Sequence, residues 1–177
     1  LGCKFVYKAF GLGFSVAIPD SGDDTRGKSR YQDFQFTFPM GKHGIDFTFQ
    51  NYVGFYVNNE DLKTGGDFLQ YDDLAGALFE LRYYYAFNSN FSMKAAFNQT
   101  ARQLEDAGSW MISTSVNAFI ASRGGGFIPS AYATANFPEL VGLDAMTFTG
   151  VSISGVYIYT WVWENDWFFS PSLLLGT

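Results

Sequence analysis

The sequence predicts an all-β protein, an antiparallel transmembrane β-barrel, and three observations lead to that prediction. Large apolar and polar side chains alternate, as in "IDFTFQ" (45–50), and a period of two residues is that of a strand with two unlike faces. Aromatic residues make up 20% of the chain and charged residues only 16%, which suits a membrane protein better than a soluble surface. No apolar run approaches the roughly 20 residues of a membrane-spanning helix, so strands would have to cross the bilayer.

The alternation predicts about eight to nine strands in a single domain over residues 1–177. In each predicted strand, every second residue is aromatic or aliphatic and the residues between them are polar or small; we call each of these two alternating sets a parity. The strands are expected within residues 3–7, 10–18, 30–38, 45–57, 78–87, 91–98, 110–121 and 151–163.

The connections alternate in length through the first half of the chain. Short ones are expected at 8–10, 39–44, 88–90 and 164–167, and long polar ones at 19–30 and 58–73. Short turns at one end and long loops at the other are typical of outer-membrane barrels.

Two further segments are predicted from their own residues. Residues 100–108 should form a helical turn, because Thr100 and Gln103 have the spacing of a capping box and Gly108 can end the helix. Residues 122–145 fall on the short-turn side when the predicted strands are counted, although they form the longest connection. Their apolar content predicts that they pack against the periplasmic opening or enter the barrel.

The aromatic face could meet lipid or, in a soluble sandwich, a second sheet; alternation alone allows both. Lipid is favoured, because tyrosines and tryptophans gather at strand ends and the mid-strand charges all share the polar parity. The expected interfacial aromatics are Tyr52, Tyr83, Trp110, Trp161, Trp163 and Trp167. The expected lumenal charge network is Asp46, Glu80, Arg82 and Lys94. A basic side chain facing lipid at mid-bilayer would cost about 2–4 kcal/mol, so these charges should face a lumen that they either fill or make selective.

No residue pattern indicates catalysis, a cofactor or a metal, so we expect neither an enzyme nor a bound cofactor. His43 is the single histidine and no nucleophile motif accompanies it. Cys3 is the single cysteine, which excludes an internal disulfide and a thiolate metal site. The acidic loop 19–30 lacks the ligand spacing of a calcium loop. The net charge of -6 argues against a nucleic-acid partner.

Three segments, 5–36, 44–57 and 93–110, resemble in that order the Bacteroidota outer-membrane proteins grouped as domain of unknown function 4421. The stretch "AAFNQTARQLEDAGSW" (95–110) is the most specific of them. The resemblance implies a barrel of roughly a dozen strands in a longer protein and gives no catalytic residue. Because open strand edges are not viable in lipid, we expect the domain to be incomplete at one or both ends.

The expected location is the bacterial outer membrane, in contact with its lipid and lipopolysaccharide. The expected role is structural or one of interaction, possible partners being other membrane-protein subunits of an outer-membrane assembly. A small-solute channel or transporter is the alternative, and a lipid-modifying barrel enzyme is a third. A segment that plugs the lumen would favour the first role, and a large water-filled lumen the second.

Overall fold

The computed structural model describes residues 2–7, 10–16, 29–58, 68–127, 138–163 and 167–176, which form one antiparallel sheet. Its strands are β1 (Gly2–Tyr7), β2 (Phe10–Val16), β3 (Arg30–Met40), β4 (His43–Asn58), β5 (Phe68–Ala86), β6 (Ala107–Ser122), β7 (Ala145–Trp163), β8 (Trp167–Phe169) and β9 (Ser172–Gly176). Each strand up to β8 pairs with the next, and β9 pairs with β7 on the same side as β8. The predicted all-β antiparallel fold is confirmed. The sheet is open, with β1 at one edge and β8 and β9 at the other.

The register aligns the apolar parities of neighbouring strands into continuous rows. One row crosses β2 to β7 as Leu12, Phe36, Phe47, Leu81, Val116 and Val151. A second row consists of Phe14, Phe34, Phe49 and Phe79. The ring centroids of Phe47 and Phe79 are 5.2 Å apart, in edge-to-face contact. Cross-strand aromatic pairs of this kind stabilise a sheet, and we call this side of the sheet the apolar face.

The opposite side of the same strands carries polar and small side chains. One row there consists of Gly11, Thr37, Asp46, Arg82, Ser115 and Ser152, and the next of Gly13, Gln35, Thr48, Glu80, Asn117 and Gly150. We call this side the polar face. The two faces are those that the alternation predicted.

The predicted strand at 91–98 is wrong. Lys94–Asn98 form one π-helical turn, and the backbone N–H of Gln99 donates to the carbonyl of Lys94. A short 3-10 turn, Pro138–Leu140, is the other helical element described. No helix in the described part of the chain is long and apolar enough to span a membrane.

The predicted helical turn at 100–108 is also wrong, because β6 already begins at Ala107 and the residues before it are irregular. Gln103, which was expected in a capping box, uses its side chain elsewhere. Its Oε1 accepts from the backbone N–H of Ser92 at 2.8 Å, and its Nε2 donates to the carbonyls of Asn90 and Glu105 at 2.9 and 3.0 Å.

Because residues 91–98 do not form a strand, the later connections lie at the opposite end of the sheet from the one predicted. The connections after β1, β3, β5 and β7 share one end, the short-turn end, and those after β2, β4 and β6 share the other, the loop end. Residues 122–145 join β6 to β7 at the loop end, so their expected place at the short-turn end is wrong, whereas their entry into the barrel stays a prediction. Residues 128–137 of that segment, and 19–28 of the predicted acidic loop, lie outside the described residues. The long connection at the short-turn end is 87–106, which we call the return segment.

Candidate functional site on the polar face

The return segment folds back onto the polar face near the short-turn end. Phe91 and Met93 of the segment are buried, and the side chain of Met93 is only 1% exposed. They form a cluster with five residues of β5, β6 and β7, which are Tyr84, Ala86, Ala107, Met111 and Ile158. Full burial of one such large side chain is worth about 1.5–3 kcal/mol, so apolar packing attaches the segment to this half of the sheet.

Hydrogen bonds fix the two ends of the return segment to the strands that it joins. The Nδ2 of Asn88 donates to the carbonyl of Gly108 at 2.7 Å, and the backbone N–H of Asn88 donates to the Oγ of Ser109 at 3.0 Å. The Nζ of Lys42, in the turn between β3 and β4, donates to the carbonyl of Phe87 at 3.1 Å. Together with the bonds of Gln103, these contacts define one path for the segment.

The far side of the same segment reaches β2. The side chain of Asn98 lies above Gly11, where an ideal Cβ would be 3.5 Å from its Nδ2. The return segment therefore crosses the polar face from the apolar cluster on β5, β6 and β7 to β2.

Three of the four predicted network charges lie on this polar face. Arg82 is paired in register with Asp46 but forms its ion pair with Glu80, at 2.7 Å between Nη2 and Oε1. The Asp46 carboxylate is hydrogen-bonded by the side chain of Thr37 and, at 3.4 Å, by the hydroxyl of Tyr84. The Arg82 and Glu80 side chains are 45% and 25% exposed, so the centre of the polar face is wet.

Lys94 does not lie where the sequence suggested. It was expected on a strand beside β5, next to Glu80 or Arg82, but it begins the π-helical turn of the return segment. Among the residues that the structure describes, Lys94 forms no ion pair. Its placement depends on the path of the return segment, which the strand pattern does not reveal.

Five of the six predicted interfacial aromatics share the apolar face, and they are Tyr83, Trp110, Trp161, Trp163 and Trp167. The rings of Trp110 and Tyr157 are 5.0 Å apart, and the ring of Trp161 stacks on Phe169 at 6.2 Å. Tyr52 is different, because it lies on the polar face, opposite Tyr31 and stacked on it at 5.9 Å.

The sequence did not predict the return segment as the covering element of the polar face. The signal was available in "AAFNQTARQLEDAGSW" (95–110), whose buried members include Ala95, Asn98 and Gln103. A second omission is a pair of aromatic residues at the loop end of the polar face. Phe119 and Phe148 stack there at 6.4 Å, and the weak alternation of β6 concealed the face to which Phe119 belongs.

The described residues contain no group of three or more His, Cys, Asp or Glu side chains that could hold a metal ion. His43 is exposed at the start of β4, and its Nδ1 is hydrogen-bonded to the hydroxyl of Tyr83 at 2.6 Å. Cys3 is an exposed free thiol on β1. The chemistry of the polar face is therefore that of hydroxyl, amide and charged side chains.

A family model described as a domain of unknown function, DUF4421, matches residues 1–177. No curated protein and no solved structure matches the chain. The match to the domain of unknown function agrees with the resemblance of segments 5–36, 44–57 and 93–110.

Proposed function

The chain belongs to the family described as domain of unknown function DUF4421, and we propose that it forms most of a β-barrel in the outer membrane of Bacteroidota. In this proposal the return segment blocks the interior, and the protein has a structural or interaction role in the membrane. The apolar face would contact lipid and lipopolysaccharide, and partner subunits could bind the same membrane-exposed surface.

One observation carries the membrane proposal: the apolar face is uncovered. Val151 is 79% exposed and Ile153 is 61% exposed, although both lie in the middle of β7. All nine strands described belong to a single sheet, so no second described sheet covers these side chains. A soluble monomer rarely exposes an apolar patch larger than a few hundred Å², and lipid would provide the missing cover.

The height of the apolar face supports the same proposal. On β5 the apolar parity runs from Ala75 to Tyr85, which is about 34 Å along the strand. At a tilt of about 40° this becomes about 26 Å across the bilayer, close to the apolar band of about 25 Å that outer-membrane barrels present. The strands that extend beyond this band would project from the membrane.

The two open edges would require partners in lipid, because unpaired backbone groups there are not tolerated. We propose that further strands pair with β1 and β9 and close a barrel of roughly a dozen strands. The wet polar face would then line the interior.

A small-solute channel is the second candidate, and the small side chains of the polar face favour it. Gly13, Ser115 and Ser152 are small residues in the middle rows, and a Cβ at Gly13 would meet only Gln35. The return segment opposes this function, because it covers the polar face near the short-turn end.

The membrane location can be tested with spin labels on both faces of the purified protein in lipid vesicles. In a Cys3→Ser background, labels at Phe36, Phe47 and Phe79 should collide with oxygen in the bilayer and be protected from a water-soluble nickel reagent. A label at Thr48, on the polar face, serves as the matched control. Access of the nickel reagent to all three apolar positions would reject the membrane proposal.

The blocked interior can be tested by single-channel recording in a planar bilayer. Wild type should conduct little, and replacing residues 89–105 by a short glycine linker should raise the conductance severalfold. Deletion of residues 124–142, which belong to the connection at the loop end, separates the two segments, because a rise in conductance there alone would mean that this connection and not the return segment blocks the interior. A large wild-type conductance that the replacement does not alter would favour the channel instead.

A further inference from the structure

A groove on the apolar face lies near the short-turn end, along β6 and β7. Its volume is about 320 Å³. Large apolar side chains form its walls, and they are Phe87, Trp110, Ile112 and Ile153. Each of the four is between 41% and 61% exposed, so the groove is open to whatever surrounds this face of the sheet.

Gly155 forms the floor of this groove. It lies between Ile112 on β6 and Leu175 on β9 in one cross-strand row. An ideal Cβ on Gly155 would be 3.9 Å from the carbonyl oxygen of Leu175, which is its nearest neighbour. The depression therefore exists because this position has no side chain, and a larger residue would fill it without a clash.

A cation lies beside one end of the groove. The Nζ of Lys42 donates to the carbonyl of Phe87 at 3.1 Å, and the backbone N–H of Ala86 donates to the carbonyl of Lys42 at 2.7 Å. Lys42 forms no ion pair with any residue that the structure describes. An ammonium group has three hydrogens, so two remain for an anion.

We propose that this groove binds one acyl chain of an anionic glycerophospholipid, whose phosphate is bound by Lys42. The inference rests on the proposed membrane location, because the apolar face meets lipid only there. Since a methylene group and a water molecule in the liquid have similar volumes, roughly 30 Å³, the groove has room for a chain segment of about ten carbons.

The position of Lys42 suits a phosphate group. The apolar parity of β5 ends at Tyr85, and Phe87, whose carbonyl Lys42 binds, follows two residues later. That level is the end of the proposed apolar band, where lipid headgroups begin. The short turns of outer-membrane barrels lie on the periplasmic side, so the ligand is a phospholipid of that leaflet and not lipopolysaccharide of the outer one.

Two different interactions hold the lipid. Inside a bilayer no water is displaced when a chain enters the groove, so the chain is held by close packing against Trp110, Ile112 and Ile153. Lys42 adds a charge attraction that distinguishes an anionic headgroup from a zwitterionic one. The groove therefore determines that a lipid is retained, and Lys42 determines which lipid it is.

Retention of lipid through purification tests the proposal. The protein is reconstituted with equal amounts of phosphatidylglycerol and phosphatidylcholine that carry the same acyl chains, extracted in mild detergent and analysed by native mass spectrometry. Wild type should retain phosphatidylglycerol in preference to phosphatidylcholine. Gly155→Leu fills the groove and should lower the retention of both lipids by about two- to fivefold. Lys42→Gln keeps a side-chain donor for the Phe87 carbonyl and should lower the preference by about fivefold.

Two variants are matched controls. Ala118→Leu enlarges a side chain of the apolar parity on β6, away from the groove, and should leave retention unchanged. Lys4→Gln removes the same charge from the polar face and should leave the lipid preference unchanged. Retention that Gly155→Leu does not reduce would overturn the proposal, and so would an equal loss of preference in Lys4→Gln and Lys42→Gln.

The spin labels at Phe36, Phe47 and Phe79 separate this inference from the proposed function. If the nickel reagent reaches all three, the membrane location fails and the lipid site fails with it. If the labels are in lipid but retention is the same in wild type, Gly155→Leu and Lys42→Gln, only the lipid site is overturned.

Discussion

The two halves of the polar face hold the same return segment in different ways. Against β5, β6 and β7 the segment buries Phe91 and Met93 in an apolar cluster. Against β2 it presents Asn98, whose Nδ2 lies over Gly11 and has no hydrogen-bond partner among the described residues. The apolar half supplies most of the attachment energy, because packing scales with buried area. The polar half contributes little energy but specifies where the end of the segment lies.

The largest effect should come from the apolar half. Met93→Ala removes a side chain that is 1% exposed and leaves a cavity, so we expect it to lower the free energy of unfolding by about 2–5 kcal/mol. Denaturant unfolding of the protein in detergent measures this change. Leu104→Ala in the same segment, at a side chain that is 66% exposed, is the control and should change stability by less than about 0.5 kcal/mol. Equal effects at the two positions would contradict the comparison.

An intermediate effect is expected where the two halves meet. A Cβ on Gly44 would lie 2.1 Å from Cε2 of Tyr84, and the ring of Tyr84 packs on Phe97 at 5.7 Å. Gly44→Ala must therefore displace that ring, and we expect a loss of about 1–3 kcal/mol in the same unfolding measurement.

Gly13→Ala is the matched control for Gly44→Ala. It also adds a methyl group to the polar face, but at ordinary contact distance, so its effect should be within about 0.5 kcal/mol. If Gly13→Ala were as destabilising as Gly44→Ala, the polar face would be packed uniformly and the distinction between its halves would fail.

The smallest effect is expected from the ion pair in the wet centre of the polar face. A double-mutant cycle with Arg82→Met and Glu80→Gln should give a coupling energy of about 0–1 kcal/mol, because both side chains are partly exposed. The coupling should fall further in 1 M salt. A coupling above about 2 kcal/mol that salt does not reduce would mean that this region is shielded from water. The claim that the polar half contributes little attachment energy would then fail.

The sequence predicted the sheet well because strand geometry and residue pattern share a period. In β4 the parity of Phe47 and Phe49 against Asp46 and Thr48 determines the face of every side chain once the register is fixed. For the same reason Asp46, Glu80 and Arg82 could be assigned to one face before the structure was known.

The return segment could not be predicted in this way. Phe91, Met93 and Ala95 alternate with polar residues, and all three are buried, yet the backbone is not a strand. Alternation shows which side chains are covered, but it does not show whether they belong to a further strand or to a segment that packs on the face of the sheet. The capping box predicted from Gln103 is wrong for a similar reason. Its side chain is hydrogen-bonded to the backbone of Ser92 and Asn90, which lie more than ten residues earlier in the sequence.

The position of the return segment between β5 and β6 has a consequence for the order of folding. Most of its apolar partners, such as Tyr84 and Met111, lie within about twenty residues of Met93 in the sequence, so closing these contacts has a low entropic cost. The contact between Asn98 and Gly11 joins parts of the chain that are far apart. We therefore expect β5, the segment and β6 to form an early unit around which β1 to β4 are added. Pulsed hydrogen-exchange labelling should detect protection at Met111 before Gly11, and the reverse order would mean that the sheet closes first and the segment enters last.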